Sequence, residues 1–196
     1  MSKNDGKVLR HQVGKPWKPR EKSPRRLARE YVIQGLYQWR VGGNDEAAIE
    51  ATLESLVIAA KAIEAEEAAE FAAANPDAAP ETTAKEPPID RNFFLALLRG
   101  VLAQHEALAA EIAPCLDRPF DELSPIEAGV LLLGTFEFKH HPETPYKVIL
   151  NEAIELAKSF GGTDGHKYVN GVLDKLAARL RPVEVEARKA APPPSA

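Results

Sequence analysis

The chain has 196 residues, 44% of them hydrophobic and 28% charged, a formal net charge of −4 and a single cysteine. That length supports one core or two small lobes. The lone cysteine, Cys115, excludes a disulfide framework and a cysteine-built zinc cluster. With 31 Ala and 20 Leu against 12 Val, 9 Ile and 6 Thr, helix is favoured over sheet. The longest apolar runs, 93–98 and 130–134, fall far short of the roughly 20 residues a membrane span needs. The first thirty residues are basic and Pro-rich and do not read as a secretion signal, so a cytoplasmic protein is expected. Charge is divided: residues 1–29 hold ten Lys or Arg and two acids, and the remainder carries 15 basic and 27 acidic groups. A basic arm on an acidic body suits a polyanion binder, and equally a solvated tail without a partner.

Residues 1–23 lack an apolar period and read as a disordered arm. Ser23 and Pro24 then form a helix start, as N-cap and first helical residue. Leu27, Tyr31, Val32, Leu36 and Trp39 recur near a 3.6 period, and Gly42-Gly43 ends this helix. A second helix opens at Asn44 or Asp45, with Ile49, Leu53, Leu56 and Val57 as its buried stripe. Residues 59–74 read as a helical extension with little to bury, and 75–88 as a flexible loop. Between Asn44 and Asp90 there are 12 acids and two lysines, a stretch that should repel nucleic acid.

Asp90 is read as the cap of a third helix, carrying Phe93, Phe94, Leu97, Leu98, Val101, Leu102, Leu108 and Ile112 and stopped by Pro114. Ser124-Pro125-Ile126-Glu127 is a capping box with Pro at the first helical position. Its helix runs through Val130, Leu131, Leu133, Gly134, Phe136 and Phe138 and halts before Pro142. Thr144-Pro145 should start a fifth helix, with Val148, Ile149, Ala153, Ile154 and Ala157 inward and Gly161-Gly162 at its end. Asp164 should cap a last helix bearing Val169, Val172, Leu173, Leu176 and Leu180, and Arg181-Pro182 should stop it. Residues 183–196 read as tail. The sum is an all-α globule of about six helices, divisible into lobes 24–74 and 89–182, with an acidic Ala-rich insertion and loop at 59–88.

Catalytic patterns fail. His105-Glu106 has no second His one turn on, and no Ser sits in a G-x-S-x-G elbow. His140-His141 are adjacent on a helix, point about 100° apart and chelate poorly, so pairing at the helix C-terminus is the better reading. The segment 161–167 resembles a phosphate loop only superficially, since it joins two helices; yet Lys167, beside free N–H groups at a helix start, could hold a phosphate oxygen. Arg25, Arg26 and Arg29, with Lys22, set a cationic stripe where the helix dipole prefers anions. A bound polyanion would explain it, and so would salt bridges to Glu30 or to the acidic second helix. Tyr37 and Tyr168 could stack unpaired bases. Core packing is favoured for Tyr37 and partial exposure for Tyr168.

The run Pro145-Tyr-Lys-Val-Ile-Leu-Asn-Glu-Ala-Ile-Glu-Leu-Ala-Lys-Ser-Phe-Gly161, then Asp164-Gly-His-Lys-Tyr-Val-Asn-Gly-Val-Leu-Asp-Lys175, closely resembles the C-terminal half of the bacterial transcription antitermination NusB family. Arg25-Arg-Leu-Ala-Arg-Glu-Tyr-Val-Ile-Gln-Gly-Leu-Tyr-Gln-Trp39 resembles that family's arginine-rich first helix. The likeness spans about 24–58 and 89–182. It implies an all-α fold of two packed helical subdomains of about three helices each, without catalytic residues, metal or cofactor. It also implies binding of a single-stranded boxA element in nascent ribosomal RNA together with ribosomal protein NusE, in the service of an RNA polymerase elongation complex. By position, RNA contacts would fall on Arg25, Arg26, Arg29, Tyr37, Asp164, Lys167 and Tyr168, with Glu127 near the RNA or NusE. The chain departs from the pattern at Leu27, where another Arg is usual, in its longer basic arm, and in the 59–88 insertion. An NusB-like domain also opens an rRNA cytosine methyltransferase, but no catalytic domain follows here.

On this reading the opening helix neutralises phosphates and gives steep salt dependence, while Tyr37, Tyr168 and Asp164 read bases. Removing Arg25 and Arg29 should flatten the salt slope with little effect on melting. The competing reading is an acidic helical adaptor for a basic partner, without RNA readout.

Overall fold

Local signals start and stop the helices of the computed structural model, which describes residues 23–74 and 89–190. Helix α1 (Pro24–Gly42) begins where the Ser23 hydroxyl accepts from the Arg26 N–H at 3.2 Å, and ends at Gly43, whose φ of 67° only glycine adopts freely. Helix α2 (Glu46–Ala74) follows Asp45, whose carboxylate accepts from the Ala48 N–H at 2.9 Å. Ile49 and Leu53 are buried; the side chains of Leu56 and Val57 lie outside what is described. The helical extension through residue 74 is present, and the 75–88 loop, like the 1–22 arm, lies outside the described residues.

Asp90 caps α3 (Arg91–Ile112) by accepting from the Phe93 N–H at 3.0 Å, and Pro114 sits in a short 3-10 turn, Ala113–Cys115. By length and composition α3 could cross a membrane, but Phe94, Leu97, Leu98, Val101, Leu108 and Ile112 are buried in the protein core. After a second 3-10 turn, Phe120–Glu122, the Ser124 capping box opens α4 (Pro125–His140), which is buried without a break from Ala128 to Phe138. Helices α5 (Tyr146–Phe160), α6 (Gly165–Leu180) and α7 (Pro182–Ala190) follow among the described residues.

Helices α1, α3, α4, α5 and α6 pack through one continuous core. The apolar all-round α4 lies at the centre, against α1, α3, α5 and α6. It runs antiparallel to α1: Glu137 meets Arg29, while Ile33 and Leu36 lie over Gly129. Gly100 lets α3 approach α4 closely, since a Cβ there would stand 2.1 Å from the Phe136 ring.

Helix α1 also packs on α3, and the Asp90 N–H donates to Pro24 O at 3.2 Å. Two expectations change. Pro145, not Thr144, stands at the N-cap of α5, and Val148 is 44% exposed, because it shares a face with Asn151 and Glu155 rather than with Ile149 and Ala153. Residues 182–190 form α7 rather than tail: Pro182 takes the first position of a new helix as well as ending the old one. Arg181 fixes that junction by donating to the carbonyls of Phe138, His141, Pro142 and Thr144, and it also pairs with Glu184.

Candidate nucleic-acid interface

The three arginines of the first helical turn go to three different places. Arg25 is exposed, 3.7 Å from the Asp90 carboxylate, with its guanidinium 5.0 Å from the centre of the Phe93 ring. Arg26, a quarter exposed, lies 3.6 Å from Glu30 and 3.8 Å from Glu155 on α5. Arg29 is 5% exposed and grips the buried Glu137 bidentately, at 2.9 Å through Nε and 2.7 Å through Nη2. Burial works against its charge, but the hydrogen bond and charge of Glu137 outweigh burial and hold its pKa above the ordinary arginine value. The expected stripe is therefore one exposed cation (Arg25), one half-buried cation (Arg26) on a diverging side, and one buried brace (Arg29). The salt-bridge alternative holds for Arg26 and Glu30; the acids of α2 pair instead with Arg91 and Arg99 of α3.

Eleven residues beyond Arg26, three full turns on, Tyr37 lies on the same face of α1. It is 44% exposed rather than in the core. One turn further, Arg40 lies over the Phe120 ring at 5.2 Å. This end of α1 abuts the start of α4, where Glu127 is held by its capping box and accepts from the Ser124 N–H at 3.1 Å. The start of α6 meets the same carboxylate: a Cβ at Gly165 would stand 3.3 Å from Glu127 Oε1.

At the head of α6, Asp164 occupies the N-cap position without capping by its side chain. Its carboxylate instead pairs with Lys167 at 2.8 Å, both groups being about three-quarters exposed. Tyr168 is partly exposed, as expected. Its hydroxyl donates to Asp117 at 2.8 Å, and the Arg118 guanidinium covers one ring face at 4.5 Å. Burial and then Asp117 push the Tyr168 phenol up, and the same hydrogen bond pulls Asp117 down.

The structure thus brings Glu127, Asp164, Lys167 and Tyr168 together where α4 and α6 begin, with Tyr37 on the adjoining end of α1. Arg26 joins this face through α5, Arg25 faces the start of α3, and Arg29 is withdrawn into the core. Sequence reasoning missed Asp117 and Arg118, which sit in a turn without periodicity, and Glu155 and Lys158, which looked like ordinary polar positions of α5. Among the described residues, no three His, Cys, Asp or Glu side chains converge as metal ligands.

The model of the NusB family matches residues 26–178. The chain belongs to the NusB family. It is 56% identical over 170 residues to the transcription antitermination protein NusB of Dechloromonas aromatica, covering 87% of this chain and 88% of the relative. With the NusB of Azoarcus sp. it shares 51% identity over 166 residues, covering 85% and 90%. Among solved structures, T. maritima NusB superposes with a TM-score of 0.61 at 24% identity, covering 84% of this chain and 99% of that one. NusB in a complex of NusB and NusE with double-stranded RNA gives 0.56 at 17% identity, covering 79% and 96%. These two likenesses bear on the fold, which is the NusB fold.

Proposed function

We propose that this chain is a non-catalytic antitermination factor that binds single-stranded boxA-like RNA in nascent ribosomal transcripts together with ribosomal protein NusE, and so acts on the RNA polymerase elongation complex. What carries the reading is the family match, which runs from residue 26 through the starts of α4 and α6. The geometry supports it: exposed cations and a half-open aromatic ring suit an unpaired strand, with phosphates taken by Arg25, Arg26 and Lys167 and a base by Tyr168. Tyr37 and Asp164 extend the same RNA surface, and Glu127 lies beside it, toward the RNA or NusE. Arg29 serves it indirectly, by fixing the helix that carries Arg25 and Arg26. An acidic body, in turn, suits a basic ribosomal protein.

The test is titration of labelled boxA-like RNA against the chain, with and without NusE, at several salt concentrations. Weak, salt-sensitive binding by the chain alone, tightened by NusE, is the expected result. NusE binding without any RNA binding would instead favour an acidic adaptor.

A further inference from the structure

On the outer face between α1 and α5, the Glu155 carboxylate meets two cations, one of which, Arg26, it shares with Glu30 at 3.6 Å. Glu155 Oε2 lies 3.8 Å from Arg26 Nη2, and Glu155 Oε1 accepts from Lys158 Nζ at 2.8 Å. Arg26 and Lys158 therefore face each other across the width of a single carboxylate group. All three side chains reach solvent, with exposures of 26% for Arg26, 43% for Glu155 and 49% for Lys158. The two cations hold the Glu155 carboxyl below the ordinary glutamate range, Lys158 first and Arg26 less.

Two positive groups converging on one oxyanion from different helices can equally hold a phosphate diester. The place is also continuous with the rest of the surface. From Lys158 the chain runs through exposed Ser159, Gly162 and Thr163 to the Asp164–Lys167 pair. Gly161 packs beside Ile126 at the start of α4. Lys158 thus stands, in chain order, between Glu155, which meets the first turn of α1, and the head of α6.

We propose that Arg26 and Lys158 form a phosphate seat for the bound RNA, and that Glu155 occupies that seat in the RNA-free chain as an internal stand-in for the phosphate. Binding exchanges one anion for another, so Glu155 weakens binding of any RNA that cannot make the remaining contacts. This rests on the RNA-binding reading above and adds to it a residue, Lys158, and a restraint, Glu155.

The experiment measures binding of boxA-like RNA by the full chain with NusE, across a salt series, for wild type and four variants. Lys158→Gln should weaken binding about 3- to 10-fold and flatten the log–log salt slope by about 0.7, one single-strand phosphate contact. Lys158→Arg should restore both. Glu155→Gln should tighten binding about 2- to 5-fold, the strength of an exposed ion pair released. Glu111→Gln makes the same change in net charge beside Lys139 at the end of α3 and should leave binding unchanged. Wild-type affinity in Lys158→Gln, or unchanged or weaker binding in Glu155→Gln, overturns the seat while the RNA-binding reading stands. An equal gain in Glu111→Gln overturns it too, as a general charge effect. Absence of RNA binding by the wild-type chain would overturn both.

Discussion

Arg29 and Glu137 are a guanidinium and a carboxylate taken almost wholly out of water, matched in a two-point grip. Removing one partner strands the other charge in the core, a cost of about 3–5 kcal/mol. Arg29→Ala should therefore lower the melting temperature by roughly 10 °C, as thermal unfolding would show. Arg25→Ala, at an exposed site, should leave melting nearly unchanged and act on the salt slope of RNA binding instead. The two arginines look alike in the sequence, four residues apart and one turn from each other. Their separate fates depend on a glutamate 108 positions further on, which no local pattern announces. Tyr37, expected in the core, is exposed because it lies on the Arg26 face of α1, outside the buried stripe of Val32, Ile33 and Leu36.

At the level of elements, the starts of helices were the most readable part of the chain, because a cap is a local piece of chemistry. Ser23, Asp45, Asp90 and the Ser124–Glu127 box all act through hydrogen bonds to backbone N–H groups three residues away. Stops were less readable, since a proline that ends one helix can begin another, as Pro182 does for α7. Close approach of two helices was invisible to the sequence and is fixed at Gly100, where the Phe136 ring occupies the space of a side chain. Gly100→Ala should displace that ring and destabilise the fold by about 1–3 kcal/mol, read by denaturant unfolding. Because the ring also lies 4.5 Å from the His140 ring, the variant should alter the magnetic environment of His140 as well.

On the acid side, the charges of the molecule couple stability to pH in one direction. The carboxyls of Glu143, beside His141, and Glu155, beside Lys158, are held below their ordinary range, and so is that of Asp117, beside Tyr168. Their contribution is complete above the unfolded carboxylate range, about pH 4–4.5, and is lost as pH falls through the folded values. Burial, then Lys139 and His141, lowers His140, so the fold prefers its neutral form, and that contribution declines below about pH 6.5. The melting temperature should accordingly fall on acidification, and His140→Gln should reduce the part of that fall lying between about pH 6.5 and the carboxylate range. The all-α class and the family were legible from composition and from the long C-terminal run. How the surface is assembled was not, because it joins the ends of α1, α4, α5 and α6, which are far apart in sequence. The most direct test is a map of photocrosslinks from bound boxA-like RNA, formed with NusE present. Crosslinks should cluster at Arg25 and Arg26, Lys158, and Lys167–Tyr168. Crosslinks concentrated instead on α7 or on the acidic α2 would contradict the surface described here.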